Sequence, residues 1–196
     1  MRAHFLPRGE DMSRKKDPQQ VRSRLLESAS RLAADNGLAE ISLSAVAAAA
    51  GVTKGGLFHH FPNKRALISA LFTALIADID REIDDYLQQD AGGYGCFTRA
   101  YVRSGFAESD DRVTWAAITY SIKSDSELIE LWDAWIAGRL ARHQATDSAP
   151  ALEIVRLAAD GAWFQRQLSR RPESAASREL EQRLLHLTYP QDGAAA

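Results

Sequence analysis

The stretch SLSAVAAAAGVTKGGLFHHF, residues 42–61, decides the fold of this chain. Ser42 can cap a first short helix, because its hydroxyl can accept a backbone N–H bond from the first turn. Gly51 ends that helix, since glycine enters a tight turn without steric cost. Thr53 can then cap a second helix that runs to about His60. Two short helices joined by a tight turn at a steep angle predict a helix-turn-helix.

The second helix presents small and polar side chains to solvent. They are Thr53, Lys54, Gly55, Gly56, His59 and His60. A capping hydroxyl, a cation, two small residues and two imidazoles suit an approach to the major groove of DNA. Each glycine costs the helix about 1 kcal/mol in propensity, which favours a surface that something must approach closely. Lys54 is expected to contact a phosphate rather than to read a base.

The remaining cations and imidazoles of this region allow more than one interpretation. His59 and His60 are assigned to phosphate or base contacts, with solvated surface histidines as the alternative. They are not expected to share a metal, because neighbouring side chains on a helix do not face each other. Lys64 opens the next helix, where its charge opposes the helix dipole and a phosphate would relieve the conflict. The basic run 14–16 fits a DNA-contacting arm and a solvated tail equally well.

Helices extend on both sides of this motif. Asp17 and Pro18 have the residue types of a helix start, and Gly37 that of a helix end. Asn63 can cap a long helix of about 25 residues that reaches the region 88–90. Four apolar residues are expected to close a small core with the first helix: Val46, Val52, Leu57 and Phe61.

The C-terminal two thirds also follow a helical pattern. A loop at 91–95 precedes helices at about 97–107, 113–122, 126–143, 150–169 and 174–187. Ser124 and Glu127 have capping-box spacing, and Arg171–Pro172 separates the last two helices. No run alternates for long with a period of two, so the predicted fold class is all-α.

Composition and charge limit the classes of function that the chain can have. The 196 residues are 45% hydrophobic and 26% charged, which is ordinary for a globular protein. No stretch approaches the roughly 18 apolar residues of a membrane helix, so no membrane partner is expected. A single cysteine, Cys96, suits the cytoplasm. Residues 1–70 carry 11 basic and 6 acidic side chains, against 13 and 20 in the remainder, and a basic head on an acidic body favours nucleic acid.

Several short motifs together carry a family resemblance. They are Leu32–Ala33, Asn36–Leu38, Ala47, Ala50–Gly55, Leu57–Phe61 and Asn63–Leu67. With them, residues 17–76 resemble the DNA-binding domain of TetR-type (tetracycline-repressor-type) transcriptional regulators. The resemblance implies an N-terminal three-helix helix-turn-helix domain, then a helical ligand-binding and dimerisation domain. It also implies a homodimer that represses from a palindromic operator in double-stranded DNA and is released by a small-molecule effector of unknown identity.

These arguments divide the chain into a disordered leader at 1–12, a head at 13–62, a body at 63–190 and a frayed tail at 191–196. The DNA contacts are assigned to Ser42, Ser44, Thr53, Lys54, Gly55, Gly56, Phe58, His59, His60 and Lys64. The family commonly has a tyrosine in place of Phe58, and a phenyl ring cannot make the phosphate hydrogen bond of that hydroxyl. The sequence does not assign the ligand-binding residues.

Enzymatic function is not expected. The sequence has no Gly-rich phosphate loop, no nucleophile elbow and no metal-spaced His/Cys set, so no catalytic residue, cofactor or metal is assigned. His143 stands isolated in the sequence. The alternative to a DNA-binding regulator is a helical ligand-binding or protein-interaction module whose head no longer binds DNA.

Aromatic and aliphatic residues recur along the body. The aromatic ones are Phe97, Tyr101, Phe106, Trp115, Tyr120, Trp132, Trp135, Trp163 and Phe164, expected to be mostly core, with several able to line a pocket. The last two helices carry Leu152, Val155, Trp163, Leu180 and Leu184, which we expect to pack against a second copy of the chain. Gly161 is expected to have a packing reason for its place inside a helix.

Overall fold

The regular segments of the described chain are all helical. The computed structural model describes residues 17–108, 114–118, 125–168 and 175–190. Its helices are α1 (Pro18–Asn36), α2 (Leu43–Ala49), α3 (Lys54–His60), α4 (Lys64–Gln89), α5 (Cys96–Phe106), α6 (114–118), α7 (Ser126–Arg142), α8 (Gln144–Asp147), α9 (Pro150–Leu168) and α10 (Ala175–His186). A 3-10 turn, Leu38–Glu40, follows α1. The all-α prediction is confirmed.

The predicted helix starts are formed by side-chain caps. An oxygen of each capping side chain accepts a backbone N–H bond: Asp17 from Gln19, Ser42 from Ala45, Thr53 from Gly56 and Asn63 from Ala66. The start of α7 differs from the prediction, since Asp125 is its cap and accepts the N–H of Glu127 at 3.1 Å. A carboxylate at this position also interacts favourably with the helix dipole.

The core of the head continues into the body. Val46, Leu57 and Phe61 are buried as predicted, and Val52 is half-buried beside them. The same apolar cluster includes the first half of α4 and, beyond it, Trp115, Ile118 and Leu128 from α6 and α7. The head therefore rests on the long helix and on one end of the body.

The predicted contact face of α9 and α10 is wrong. Leu152, Val155 and Leu184 are buried inside the chain itself, because α5 lies against α4, α9 and α10 and takes up their apolar stripes. The most exposed large apolar side chains of α9 are Ile154 and Leu157, which are 67% and 63% exposed. Helical periodicity finds an apolar stripe but does not say whether its partner lies in the same chain.

Several sequence-based interpretations lie outside the described residues. They concern the leader 1–12, the basic run 14–16, Tyr120, Ser124, Arg171–Pro172 and the tail 191–196. In the described part of the chain, no helix combines the length and the apolar character that crossing a membrane requires.

Candidate DNA-binding surface and body cavity

Helix α3 has one buried and one exposed side. Leu57 is fully buried in the core of the head, whereas Thr53, Lys54, Gly55, Phe58 and His59 face solvent and Gly56 and His60 are half-buried. Ser42 and Ser44, at the start of α2, are exposed as well. The structure thus places on the surface, wholly or in part, the α3 residues that the sequence assigned to DNA.

The turn between α2 and α3 depends on a glycine. Gly51 has a φ of +63°, a left-handed conformation that other residues rarely adopt. Val52 follows it, and its backbone N–H donates to the carbonyl of Ala47 at 2.9 Å. This turn sets the angle at which α3 leaves α2.

The two glycines of α3 have different surroundings. A Cβ added at Gly55 would meet no atom of the described residues within 4 Å, so no packing contact among them requires a glycine here. A Cβ added at Gly56 would lie 2.9 Å from Cγ1 of Val52 and 3.2 Å from Oγ1 of Thr53. Gly56 is therefore explained by packing, and Gly55 is not.

Lys54 and Phe58 lie one turn apart on the exposed side of α3. The Nζ atom of Lys54 is 5.9 Å from the centroid of the Phe58 ring, within the range of a cation–π interaction. Phe58 is 41% exposed despite its apolar ring. The ring supports the ammonium group from one side and leaves its N–H donors available.

The two histidines at the end of α3 have separate environments. Their rings are in edge contact, with centroids 5.4 Å apart. His59 is exposed, whereas His60 borders a groove formed with the first turns of α1, where Arg22 also lies. His59 is therefore the freer of the two to reach a ligand in front of α3.

Lys64 is bound within the chain. Its ammonium group donates to the carbonyl oxygen of Ala39 at 2.7 Å, which ties the start of α4 to the 3-10 turn after α1. This carbonyl relieves the unfavourable position of the cation at a helix start. An ammonium group has three N–H donors, so two remain for a phosphate.

A second feature lies in the body, where α4, α5, α6, α7 and α9 enclose a cavity of about 400 Å³. Five aromatic residues contribute to its wall: Tyr101, Trp115, Trp132, Trp163 and Phe164. Phe97 and Phe106 are buried in the apolar core and are absent from the cavity wall. Such a volume with an aromatic wall is typical of a small-molecule site.

Two carboxyl groups face this cavity. Glu82 on α4 accepts a hydrogen bond from the hydroxyl of Ser104 at 2.9 Å, and Asp160 on α9 accepts one from the hydroxyl of Tyr101 at 2.6 Å. Burial raises the pKa of Glu82 above its ordinary value, although the Ser104 bond acts in the opposite direction. Burial likewise raises the pKa of Asp160, against the lowering effects of Tyr101 and Arg156.

Long-range polar contacts join the helices around the cavity, and sequence analysis missed them. Arg139 on α7 is buried and donates to the carboxylates of Asp80 and Asp84 on α4, each at 2.6 Å. The indole N–H of Trp135 donates to Asp80 as well. The separation of 55 to 59 residues between these partners leaves no local sequence signal.

His143 is not isolated in the fold. Its ring nitrogen, the Sγ atom of Cys96 and a carboxylate oxygen of Asp147 lie within 4.8 Å of one another. The Asp147 carboxylate already accepts hydrogen bonds from the backbone N–H groups of Phe97 and Thr98 and from the Thr98 hydroxyl. It therefore caps the start of α5, and the His143 ring stacks on Phe97 with centroids 5.1 Å apart.

Two family profiles match this chain. One is described as bacterial regulatory proteins of the tetR family and covers residues 25–71, which include α2, α3 and the start of α4. The other is described as a tetracyclin repressor-like C-terminal domain and covers residues 95–189, which include the last helices of the body.

Individual relatives agree with these profiles. The transcriptional regulator TtgR of Pseudomonas putida is 38% identical over 61 residues, which are 31% of this chain and 29% of TtgR. EthR of Mycolicibacterium smegmatis is 28% identical over 66% of this chain and 65% of its own length. The region matched in TtgR covers less than a third of the length of that protein. A TetR-family structure from Streptomyces coelicolor superposes with a TM-score of 0.70 at 19% identity, covering 87% of this chain and 99% of that one.

Proposed function

Because this chain belongs to the TetR family of bacterial regulatory proteins, we propose that it is a sequence-specific DNA-binding transcriptional regulator. In this proposal it is a repressor that a small-molecule ligand releases from a palindromic operator. The observation that carries the proposal is the exposed side of α3. There a lysine, a histidine and an unconstrained glycine share a helix whose other side is fixed in the core.

Each exposed residue has a role in this proposal. Lys54 and Lys64 contact phosphates, which fix the position of the head without reading the sequence. His59 reads a base edge, and the missing side chain at Gly55 lets the helix backbone approach the groove. Thr53 caps α3 through its oxygen and keeps its hydroxyl proton for a phosphate.

The remaining assigned residues border this contact area. Ser42, Ser44 and His60 lie at its edges and are proposed to contact the DNA backbone. Gly56 allows the close packing at the start of α3, and Phe58 takes part by orienting the ammonium group of Lys54.

A palindromic site requires two heads, so we propose a homodimer. Ile154, Leu157 and Gly161 recur at helical spacing on α9, and all three are exposed within one chain. An added Cβ at Gly161 would meet nothing within 4 Å in the part of the chain that the structure describes, so the predicted packing reason is not found there. A second copy packed against this face would explain Gly161, because a residue without a side chain lets two helices approach closely.

The cavity is proposed to hold the effector, and α4 to transmit its binding. The helix begins at Lys64, just after α3, and its later turns supply Ile79, Glu82 and Ile83 to the cavity wall. A ligand that favours a different tilt of α4 would change the distance between the two heads. It can release DNA only if it binds that conformation more tightly. The protein is proposed to act in the cytoplasm and to catalyse no reaction.

A gel-shift assay with DNA from the protein's own promoter region tests the proposal. We expect a saturable shift that a scrambled DNA of equal length does not show at physiological salt. If both DNAs shift equally, or neither shifts, the proposal is contradicted. If neither DNA shifts, the chain is instead a helical ligand-binding or protein-interaction module whose head does not bind DNA.

A further inference from the structure

Five aromatic rings contribute to the cavity wall, three of them indoles. Trp115 lies in edge contact with Trp132 and with Trp163, at ring-centroid distances of 6.2 and 6.4 Å and interplanar angles of 76° and 89°. Rings at near-right angles present π-faces in different directions around one space. Tryptophan attracts a cation over its face more strongly than the other aromatic residues do.

Acidic groups outnumber basic groups among the described residues of this wall. Glu82 and Asp160 lie on different helices, α4 and α9, and each accepts one hydrogen bond from α5. A carboxylate has about four lone-pair sites, so each keeps capacity for a charged partner. The one cation among the described lining residues is Arg166.

The arginines near the cavity are bound to other groups. Arg166 donates to the carbonyl of Gly105 at 3.0 Å and lies over the Phe106 ring at 5.3 Å. Arg156, which acts on Asp160 from outside the wall, donates to Thr98 Oγ1 at 2.7 Å and to the carbonyl of Asp147. These hydrogen bonds go to oxygens other than those of Glu82 and Asp160, so neither carboxyl group is paired directly with an arginine, although the charge of Arg156 lowers the pKa of Asp160.

From this arrangement we infer that the cavity selects a monovalent organic cation with an aromatic body. Its charge lies between Glu82 and Asp160, and its rings lie against the indoles of Trp115, Trp132 and Trp163. The inference rests on the proposed function in one respect, namely that this cavity is the effector site. It adds the chemical class of the effector.

The energetics favour a cation over a neutral or anionic molecule of equal shape. Burial makes the charged forms of Glu82 and Asp160 costly, which raises the pKa of each, and a bound cation would restore those forms. A neutral ligand gains the aromatic contacts but leaves Glu82 and Asp160 without a directly paired counter-charge. An anion would bring a third negative group into the same space.

Isothermal titration calorimetry of the full-length protein tests the inference with three matched probes. They are (2-naphthylmethyl)trimethylammonium, its neutral carbon isostere 2-neopentylnaphthalene, and the anion 2-naphthylacetate. We expect the cation to bind at least about tenfold more tightly than the isostere, in line with a desolvated cation–π contact and a carboxylate. The anion should bind most weakly. Equal affinities, tighter binding of the anion, or no binding of any probe at millimolar concentration would overturn the inference.

Variants of the two carboxyl residues test whether they cause the preference for a cation. Glu82→Gln and Asp160→Asn keep an oxygen that can accept the Ser104 or Tyr101 bond but remove the charge. Each should weaken binding of the cation severalfold and leave binding of the neutral isostere unchanged, which also shows that the variant is folded. Glu130→Gln on α7, exposed and absent from the cavity wall, is the matched control and should change neither affinity. A loss of both affinities to the same extent in Glu82→Gln and Asp160→Asn would contradict the charge argument.

The gel-shift assay and the calorimetry, carried out on the same protein, distinguish this inference from the proposed function. If the promoter DNA shifts but the cation has no advantage over its isostere, the inference fails and the regulator remains. If the cation is preferred but the DNA is not bound, the proposed function fails while the selectivity of the cavity stands.

Discussion

The guanidinium group of Arg99 donates two hydrogen bonds to the carboxylate of Asp90, from Nε at 2.8 Å and from Nη2 at 2.6 Å. The two side chains are only 3% and 6% exposed. The same guanidinium donates to the carbonyl oxygens of Tyr94 and Thr188. One buried ion pair thus joins the end of α4, the loop after it and the segment that follows α10.

Asp90→Asn should destabilise the protein strongly. Removing one charge of a buried pair leaves the other uncompensated, and we expect the free energy of unfolding to fall by about 3–5 kcal/mol in a urea titration. Asp78→Asn is the control, because the Asp78–Arg81 pair is exposed and should contribute less than about 1 kcal/mol. Similar losses in both variants would contradict the importance of burial for this pair.

Acid should act on the same pair. The hydrogen bonds from Arg99 are the main cause that lowers the pKa of Asp90 below its ordinary value. Its contribution to stability is therefore complete above about pH 4 and is lost as the pH falls through the lower, folded-state pKa. When urea titrations are repeated from about pH 6 down to about pH 3, the difference between wild type and Asp90→Asn should shrink at the acid end. A constant difference would show that the charge of Asp90 is not responsible.

The loop after α4 offers a second test with a matched pair of glycines. Gly95 and Gly92 have φ values of +73° and +79°, so alanine is strained at both by about 1–2 kcal/mol. Only at Gly95 would the new Cβ also press on the backbone of Thr188 and lie 3.2 Å from Leu152. We expect Gly95→Ala to lower the melting temperature clearly more than Gly92→Ala. Equal effects would mean that the contact with Thr188 yields without cost.

Local chemistry explains what could be predicted from the sequence. Each capping side chain of α1, α2, α3 and α4 bonds to a backbone N–H two or three residues later, so residue type and spacing suffice. The polar partners of the body are distant in sequence: Asp147 caps α5 from 49 residues away, and Tyr101 meets Asp160 across 59. No sequence pattern within one helix predicts such a distant pair. The prediction for Leu184 failed for a related reason, because an apolar stripe does not reveal which chain covers it.

The exposed face of α9 gives a test of assembly. Leu157→Arg should give a folded monomer in sedimentation experiments, because it places a charge in the proposed contact between two copies without touching the core. Phe58→Arg, which also adds a charge at an exposed apolar residue but lies in the head, should leave the dimer intact. A dimeric Leu157→Arg protein, or a monomeric wild type at micromolar concentration, would rule out this face.

Salt dependence distinguishes phosphate contacts from base contacts. Lys54→Ala should weaken binding to operator and scrambled DNA alike, and should lower the slope of log affinity against log salt by about 0.9 per subunit. Arg81→Ala, a substitution at an exposed cation on α4, should leave the slope unchanged. His59→Ala should reduce operator binding alone, by about 1–3 kcal/mol for each base contact. A slope that stays constant in Lys54→Ala would remove Lys54 from the phosphate contacts.

Gly55→Gln tests whether the open glycine of α3 serves the DNA rather than the fold. An added Cβ meets no atom of the described residues within 4 Å, and glutamine is a better helix former than glycine by up to about 1 kcal/mol. The variant should therefore be at least as stable as the wild type in thermal unfolding and yet lose specific operator binding by well over tenfold. Gly56→Ala should instead lower the stability, because its Cβ would press on Val52. Should Gly55→Gln bind the operator normally, the DNA does not approach α3 at this residue.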